Sequence, residues 1–572
     1  MGDSRTRMLL GMTLLLVLAA GLRFWGLGRE GVWCDEAYTA RTVALPWDAM
    51  FTRLVSEDDA PPLYYLLQKP LAAFDHREAI LRLPSALAGL AAVALLLYRS
   101  RRDRDRAALW AAALLAVHAY AVFYARQARS YSLLILLALI LIYAARDLLD
   151  GRRRAGPVLA GSGLLLWMTH HIGVLLVVTS LLTYPLRRRG SLTLPRWALW
   201  HAIPLALWAG YWLASSGQFG QHAELNAWIA AYWERHSLLL APLASLEAML
   251  PGALQAPDGN LPLPVLVTRQ SLWIHLSFAA ALLMLYGLLA PARWRGRSGS
   301  LATSPGERRK LTTSPGEPRN HARTTAIEFA FFLGPLVLLA VASMISAPAY
   351  VVGRTDSVAF AAFVLLAGRG LARLPLPAAA AVWLLYSSLS FAILAPSYGL
   401  TPNRTGPQGT RAGKGSDRAT AAFLAGQPGF GQEPLVHGIL TAPSIEYYLE
   451  RSAPGHPHLW FPQVAGANPA AVAPTPLDSL DVYRQEALAL RARWEETLEP
   501  DQGPWILATL QPPGREAPVL TADGTITANS VAFPTSLLVY TLVGIERVTP
   551  ARVYQQDWMG GMRAVLHLPR SA

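Results

Sequence analysis

Long apolar runs separated by short arginine clusters fill the chain as far as Pro396, and beyond it the runs shorten between Pro- and Gly-rich joints. Residues 8–24 form the first run, behind Arg5 and Arg7, which suits a helix entering from the cytoplasm. A cleaved signal peptide would have a similar length and basic flank. A retained helix is the expectation, because the chain stays membrane-bound afterwards and such a helix would hold the next segment at the surface. Further runs near the spanning length of about 17 to 25 residues lie at 82–98, 107–124, 130–149, 157–170, 172–186, 196–214, 266–290, 326–346, 356–373 and 376–396. Together they predict about 11 crossings. The pair at 157–186 is the shortest and meets at His170-His171.

The polar segments between the runs set the orientation. Arg99, Arg101, Arg102, Arg104 and Arg106, then Arg152 to Arg154, then Arg187 to Arg189, then the basic stretch 291–323 all fall on one side of this count. Cytoplasmic loops carry excess Lys and Arg, so that side is the cytoplasm. Residues 25–80 are then a first outer loop, long enough for one or two interfacial helices. Residues 214–265 are a second, in which Trp228, Tyr232 and Trp233 are spaced as on one helix face and suit packing. The 291–325 loop repeats Thr303-Ser304-Pro305-Gly306-Glu307 as Thr313-Ser314-Pro315-Gly316-Glu317 and reads as a disordered cytoplasmic linker.

Past 398 the β-prone runs 434–437, 505–508, 536–540 and 564–567 alternate with a helical stretch near 478–498. The expected architecture is a polytopic α-helical membrane domain over 1–398 followed by an extracytoplasmic α/β domain over 399–572. In that domain Glu446-Tyr447-Tyr448, His437, His456 and His458 suit fold and surface better than ligation.

Composition agrees with a membrane class. The chain has 572 residues, 53% of them hydrophobic and only 15% charged, against about 25% in soluble proteins, and its mean hydropathy is +0.29. The net charge of +13 sits in loop clusters, as membrane topology requires, which removes nucleic acid as the partner. A single cysteine, Cys34, excludes an intrachain disulfide.

Candidate chemistry gathers on the outer side. Gly31-Val32-Trp33-Cys34-Asp35-Glu36-Ala37-Tyr38 puts two carboxylates at a membrane boundary, where ionisable groups are costly and by default functional; a merely solvated acidic loop is the bland alternative. The same count brings Asp58 and Asp59, Arg126 and Arg129, His170 and His171, and Arg354 with Asp356 to that side. The turn Arg126-Gln127-Ala128-Arg129-Ser130-Tyr131 offers two guanidiniums and the start of a helix, which together suit a phosphate. Candidate phosphate ligands are therefore Arg126, Arg129, Tyr131 and Arg354. Lone arginines in such places often only reach for headgroups, but two on the non-cytoplasmic side run against the positive-inside trend.

These stretches resemble the successive signatures of GT-C glycosyltransferases: Trp33-Cys34-Asp35-Glu36-Ala37, Asp59-Ala60-Pro61-Pro62-Leu63-Tyr64-Tyr65, Tyr124-Ala125-Arg126-Gln127-Ala128-Arg129-Ser130-Tyr131 and Thr169-His170-His171. The nearest branch is the bacterial dolichyl-phosphate-mannose-protein mannosyltransferase-like group, glycosyltransferase family 39. The resemblance covers the first 200 residues well and the later spans loosely. It implies transfer of a sugar from a polyprenyl-phosphate carrier to a protein, lipid or cell-envelope glycan outside the cytoplasm. The family's essential acidic residue would fall on Asp35, with Glu36 beside it, and its phosphate-gripping arginine on Arg126 or Arg129. A divalent metal, held in some relatives, would point to Asp58 or Asp59 with His170 or His171. Many members carry His or Asn before the Pro-Pro pair, where this chain has Ala60, and that departure weakens the metal assignment.

The chemistry is coherent without the resemblance. A phosphate-linked sugar already carries its leaving group, so the enzyme needs a base for the acceptor hydroxyl and positive charge for the phosphate. A base opposite the leaving group inverts the anomeric centre, unlike a two-carboxylate retaining hydrolase. Two other classes compete: a transporter or flippase for lipid-linked substrates, which internal repeats would favour, and a non-catalytic envelope-assembly subunit working through its C-terminal domain.

Overall fold

The computed structural model describes residues 2–56, 60–75, 77–188, 190–215, 229, 233, 237–250, 272–289, 317–345, 348–398, 413–438, 442–461, 480–499, 502–510, 552–554 and 562–567. The predicted spans form helices with nearly the predicted limits: α1 Gly2–Phe24, α5 Glu78–Asp103, α6 Arg106–Val117, α7 Ala119–Ala125, α8 Tyr131–Leu149, α9 Ala155–Thr169, α10 Gly173–Leu182 and α11 Leu194–Ser215, then Leu272–Leu289, Glu317–Ile345, Ser357–Arg373 and Leu376–Leu394. The chain is a multi-pass helical membrane protein.

The expected 11 crossings are not reached on length. Among the described residues five helices are long and apolar enough to cross, or six if α6 and α7, bent by 60°, form one span. Interruption accounts for part of the difference. α9 and α10 are only 15 and 10 residues long, and the 107–124 run breaks at His118, whose Nδ1 accepts the Tyr120 N–H at 3.1 Å and so caps α7. The carbonyls left open where α6 ends are taken by Arg23, which donates to Ala116 O and Leu115 O at 2.9 Å. Where helices touch, small residues let them: a Cβ on Gly368 would lie 2.5 Å from the Ala111 backbone nitrogen, so Ser357–Arg373 meets α6 backbone to backbone.

One end of the bundle is locked by buried ion pairs. Arg99 grips Asp147 with both terminal nitrogens at 2.8 and 3.0 Å, and Arg369 grips Glu328 through Nε and Nη2 at 2.6 Å. Arg146 adds a third guanidinium at 3.1 Å from Glu328. The α8 helix, about 28 Å long at 1.5 Å per residue, carries Asp147 at this end and Tyr131 at the other.

Two segments differ from the sequence expectation, and a third is described only in part. The first outer loop holds three helices, not one or two: α2 Cys34–Ala44, α3 Trp47–Ser56 and α4 Leu63–Ala72. The linker expected to be disordered over 291–325 is helical from Glu317 onward, because that stretch continues directly into an apolar span; its repeats lie outside the described residues. In the second outer loop Trp228 and Tyr232 lie outside the described residues, whereas Trp233 is buried and donates to Tyr350 O at 2.8 Å.

The C-terminal region forms a five-stranded sheet in the order β2-β1-β3-β5-β4, with β1 Leu435–Gly438, β2 His458–Phe461, β3 Trp505–Leu510, β4 Arg552–Tyr554 and β5 Met562–His567. β1 runs parallel to β2 and β3, and β5 antiparallel to β3 and β4. Parallel neighbours require crossovers, supplied by the helices Ala442–Ser452 and Leu480–Thr497. Strands β2, 4 residues long, and β4, 3 residues long, were not anticipated; the 536–540 run lies outside the described residues.

Candidate active site

The Asp35 segment folds as the opening of α2, and its two carboxylates part company there. Glu36 is fully buried and meets Arg82 with both oxygens, Nε to Oε1 at 2.8 Å and Nη2 to Oε2 at 2.7 Å. Its Oε1 also accepts the Ala128 N–H at 2.8 Å. Arg82 spends its remaining donors on Leu27 O, Glu30 O and Gly31 O. Every polar atom of this pair is used, so Glu36, expected as a catalytic partner of Asp35, ties the 126–130 turn to the first outer loop instead.

Asp35 faces the other way. Its carboxylate forms an ion pair with Arg354 Nη2, and Arg129 Nε lies 3.9 Å from the same oxygen. Two guanidiniums therefore share one carboxylate, and all three side chains keep 23 to 32% exposure. Asp35 pushes the Arg354 guanidinium upward from its ordinary range against the opposing effect of burial. For Arg129 burial is the largest single effect and pulls downward, but Asp35 with Tyr65 and Tyr131 together pull upward, and the net shift is upward.

Each arginine is placed by its own turn. Arg129 sits in the loop between α7 and α8, its carbonyl accepting the Ser85 hydroxyl at 2.8 Å, with Tyr64 OH 2.7 Å from that hydroxyl. Arg354 sits in a turn where Gly353 adopts φ of 78°, a left-handed conformation that glycine tolerates. The Gly353 N–H donates to Asp356 at 2.9 Å, and Tyr124 OH donates to the Gly353 carbonyl. Asp356 is fully buried, and burial raises its carboxyl to about 6.

The guanidiniums of Arg129 and Arg354 line a cavity of about 290 Å³ together with Thr39 of α2, Ala60, Pro61, Tyr64 and Tyr65 from the Pro-Pro stretch, and Tyr131, His170 and His171. His170 ends α9 with its ring 5.9 Å from Tyr131. Burial, with lesser effects of His171, Arg129 and Arg354, lowers it to about 3, so it is neutral at physiological pH. Cys34, beside Asp35, is pushed up to about 12 by burial and then by Asp35.

The structure thus brings together Asp35, Arg129, Tyr131, His170, His171 and Arg354. It does not bring Arg126, whose guanidinium donates to Trp25 O at 2.7 Å and Gly26 O at 3.0 Å and lies 4.6 Å over the Tyr398 ring. Arg126 and Arg129 are three apart in a turn, not a helix, and so point to different places. Asp58 and Asp59 lie outside the described residues. Among the described residues no group of three or more His, Cys, Asp or Glu is arranged for a metal, and the Asp35 carboxylate is already matched by two guanidiniums, a poor setting for a divalent cation. Sequence reasoning assigned no role to Arg82, Thr39 or, within a stretch it did single out, Tyr64 and Tyr65; Arg82, a charge at the head of an apolar run, also carried a signal.

No family model matches the chain, and no curated protein matches it. Among solved structures, ArnT from Cupriavidus metallidurans bound to undecaprenyl phosphate is 14% identical, with 97% of each chain covered and a TM-score of 0.42. The archaeal oligosaccharyltransferase AglB from Archaeoglobus fulgidus, in complex with an inhibitory peptide and a dolichol-phosphate, is 11% identical over 88% of this chain and 70% of that one, with a TM-score of 0.43.

Proposed function

We propose that the chain is an inverting glycosyltransferase of the GT-C kind, moving a sugar from a polyprenyl-phosphate carrier to a hydroxyl on an extracytoplasmic acceptor. The observation that carries this reading is a single carboxylate shared by two guanidiniums that themselves line a cavity. A sugar joined through phosphate to a lipid is a phosphodiester with one negative charge. With Asp35 ionised, Arg129 and Arg354 leave one positive charge over, which the diester neutralises.

On transfer the acceptor oxygen bonds to the anomeric carbon, the bond from that carbon to the phosphate oxygen breaks, and the phosphate keeps the electron pair. The acceptor proton goes to Asp35. The leaving monoester gains one negative charge as the carboxylate loses one, so the site remains neutral from start to finish. That balance matters in a partly desolvated pocket, where an uncompensated charge is expensive. Arriving phosphate also competes with Asp35 for the two guanidiniums, which frees the carboxylate to act as base at the moment it is needed. Tyr131 and the neutral His170 offer hydrogen bonds to the sugar or phosphate without adding charge. No step is routed through a metal.

The test is sugar transfer from a polyprenyl-phosphate sugar by the purified chain in lipid vesicles, with Asp35→Asn alongside. Transfer with inversion in the wild type and its loss in the variant support the proposal. Carrier lipid moved across the bilayer by both proteins, without glycosidic bond formation, replaces it with a flippase.

A further inference from the structure

The side of α2 away from the cavity is occupied by the C-terminal region. In a helix each residue turns about 100°, so Asp35 and Thr39 share one face while Ala37 and Ala40 share nearly the opposite one. Ala37 and Ala40 belong, with Val32, to one buried apolar cluster that also contains Ile445, Tyr448 and Leu449 of the helix Ala442–Ser452. The first outer loop and the C-terminal sheet domain therefore have a common core.

Polar contacts pin both ends of α2 to that same helix. Ahead of its first turn the Tyr448 hydroxyl accepts the buried Val32 N–H at 2.7 Å and donates to Glu78 at 2.8 Å. Arg418, from the helix Gly413–Ala425, donates to the same Glu78 oxygen at 2.6 Å and to Gly28 O at 3.1 Å. In its last turn Arg41 forms an ion pair with Glu446, a carboxylate 1% exposed. Behind Glu446 stand His458 at 3.2 Å and His437 at 3.8 Å.

We infer that the helix Ala442–Ser452 is a clamp that seats α2, and that Tyr448 and Glu446 are positioning residues which hold Asp35 at Arg129 and Arg354. The turnover part of this inference rests on the glycosyltransferase reading; the seating of α2 does not. Orientation is the quantity at stake, since a displacement of about 1 Å at a reacting group costs on the order of 100-fold in rate. A hydroxyl that holds the backbone just before α2 controls such a displacement without touching substrate.

The chain carries its own reporter. Cys34, the single cysteine, opens α2 next to Asp35 and is half-buried there, and this partial burial together with the Asp35 carboxylate keeps the thiol protonated and slow to react while α2 is seated. The experiment compares the full chain with Tyr448→Phe and Glu446→Gln in lipid nanodiscs. It reads the rate of maleimide addition to Cys34, and kcat and KM for the lipid-linked donor. The expected result is faster labelling, by about 5- to 10-fold for the loss of one buried hydrogen bond, with a matching fall in kcat and an unchanged donor KM. If either variant fails to fold, the other decides. Wild-type labelling in the folded variants overturns the clamp, and faster labelling with wild-type kcat overturns its positioning role. If the wild type transfers no sugar, labelling still decides the seating of α2, and it is the glycosyltransferase reading that falls.

Discussion

The two ends of the helical bundle hold similar residues in opposite arrangements. At the Asp147 end, Arg99 and Arg369 grip their carboxylates with two nitrogens each, and Glu328 and Arg369 are almost entirely buried. At the Asp35 end one carboxylate is divided between two arginines, the three side chains stay partly exposed, and a cavity opens beside them. In the first, Glu328 is also shared by two guanidiniums, Arg369 and Arg146, but Asp103 at 2.8 Å from Arg99 and Asp105 at 3.9 Å from Arg369 complete the balance; among the described residues the second has a cation to spare and room for an anion. Charge near a membrane is therefore informative only together with its pairing. A closed set of ion pairs holds helices together, whereas a set left open by one charge is a place for a ligand.

The contrast can be broken by substitution. Asp35→Asn should lower sugar transfer by roughly 100- to 10,000-fold, the usual contribution of a general base, while the melting temperature stays near that of the wild type. Glu328→Gln should do the reverse. Leaving Arg369 and Arg146 without their carboxylate costs about 3–5 kcal/mol, seen in denaturant unfolding, while turnover per folded molecule is retained. Arg354→Lys keeps the charge but loses the planar fork, and should raise the donor KM by about 10-fold. Arg126→Met should leave donor binding intact and cost about 1–3 kcal/mol from unpaired carbonyls at the end of α1; weakened donor binding there would return Arg126 to the site.

The smallest expected effect is a pH dependence. His458 is raised above its ordinary value by its hydrogen bond to Glu446, with burial opposing and Arg41 acting downward. A histidine raised in the folded state contributes stability that is fully present below the unfolded value of about 6.5 and is lost as pH rises through the folded one. Docking of the C-terminal domain should therefore loosen between mildly acidic and alkaline pH, and His458→Gln should flatten that profile in thermal unfolding.

How much was legible depends on the distance over which each feature is decided. Several helix limits were, because an apolar run flanked by arginine is a local signal: 130–149 is Tyr131–Leu149, and 376–396 is Leu376–Leu394, whereas the 107–124 run breaks at His118 and the helix expected at 326–346 starts at Glu317. Asp35 was singled out by the cost of a carboxylate at the membrane boundary, and Arg129 and Arg354, which meet it, were drawn to the same side by parity alone. What sequence does not carry is which way a turn points its side chains. Arg126 and Arg129 are equivalent on paper, yet one caps α1 and the other lines the cavity. Glu36 and Asp35 are adjacent, yet helical rotation sends one into the core. The docking of Ala442–Ser452 on α2 joins residues some 400 positions apart, and no local pattern announces it.

The one-cation surplus at Asp35 has an electrical corollary. A reaction that begins and ends with the same local charge moves none across the bilayer, so an imposed membrane voltage does no work on it. Turnover in sealed vesicles should then be indifferent to a potassium diffusion potential of either sign, although a charge carried across the field is worth about 2.3 kcal/mol per 100 mV.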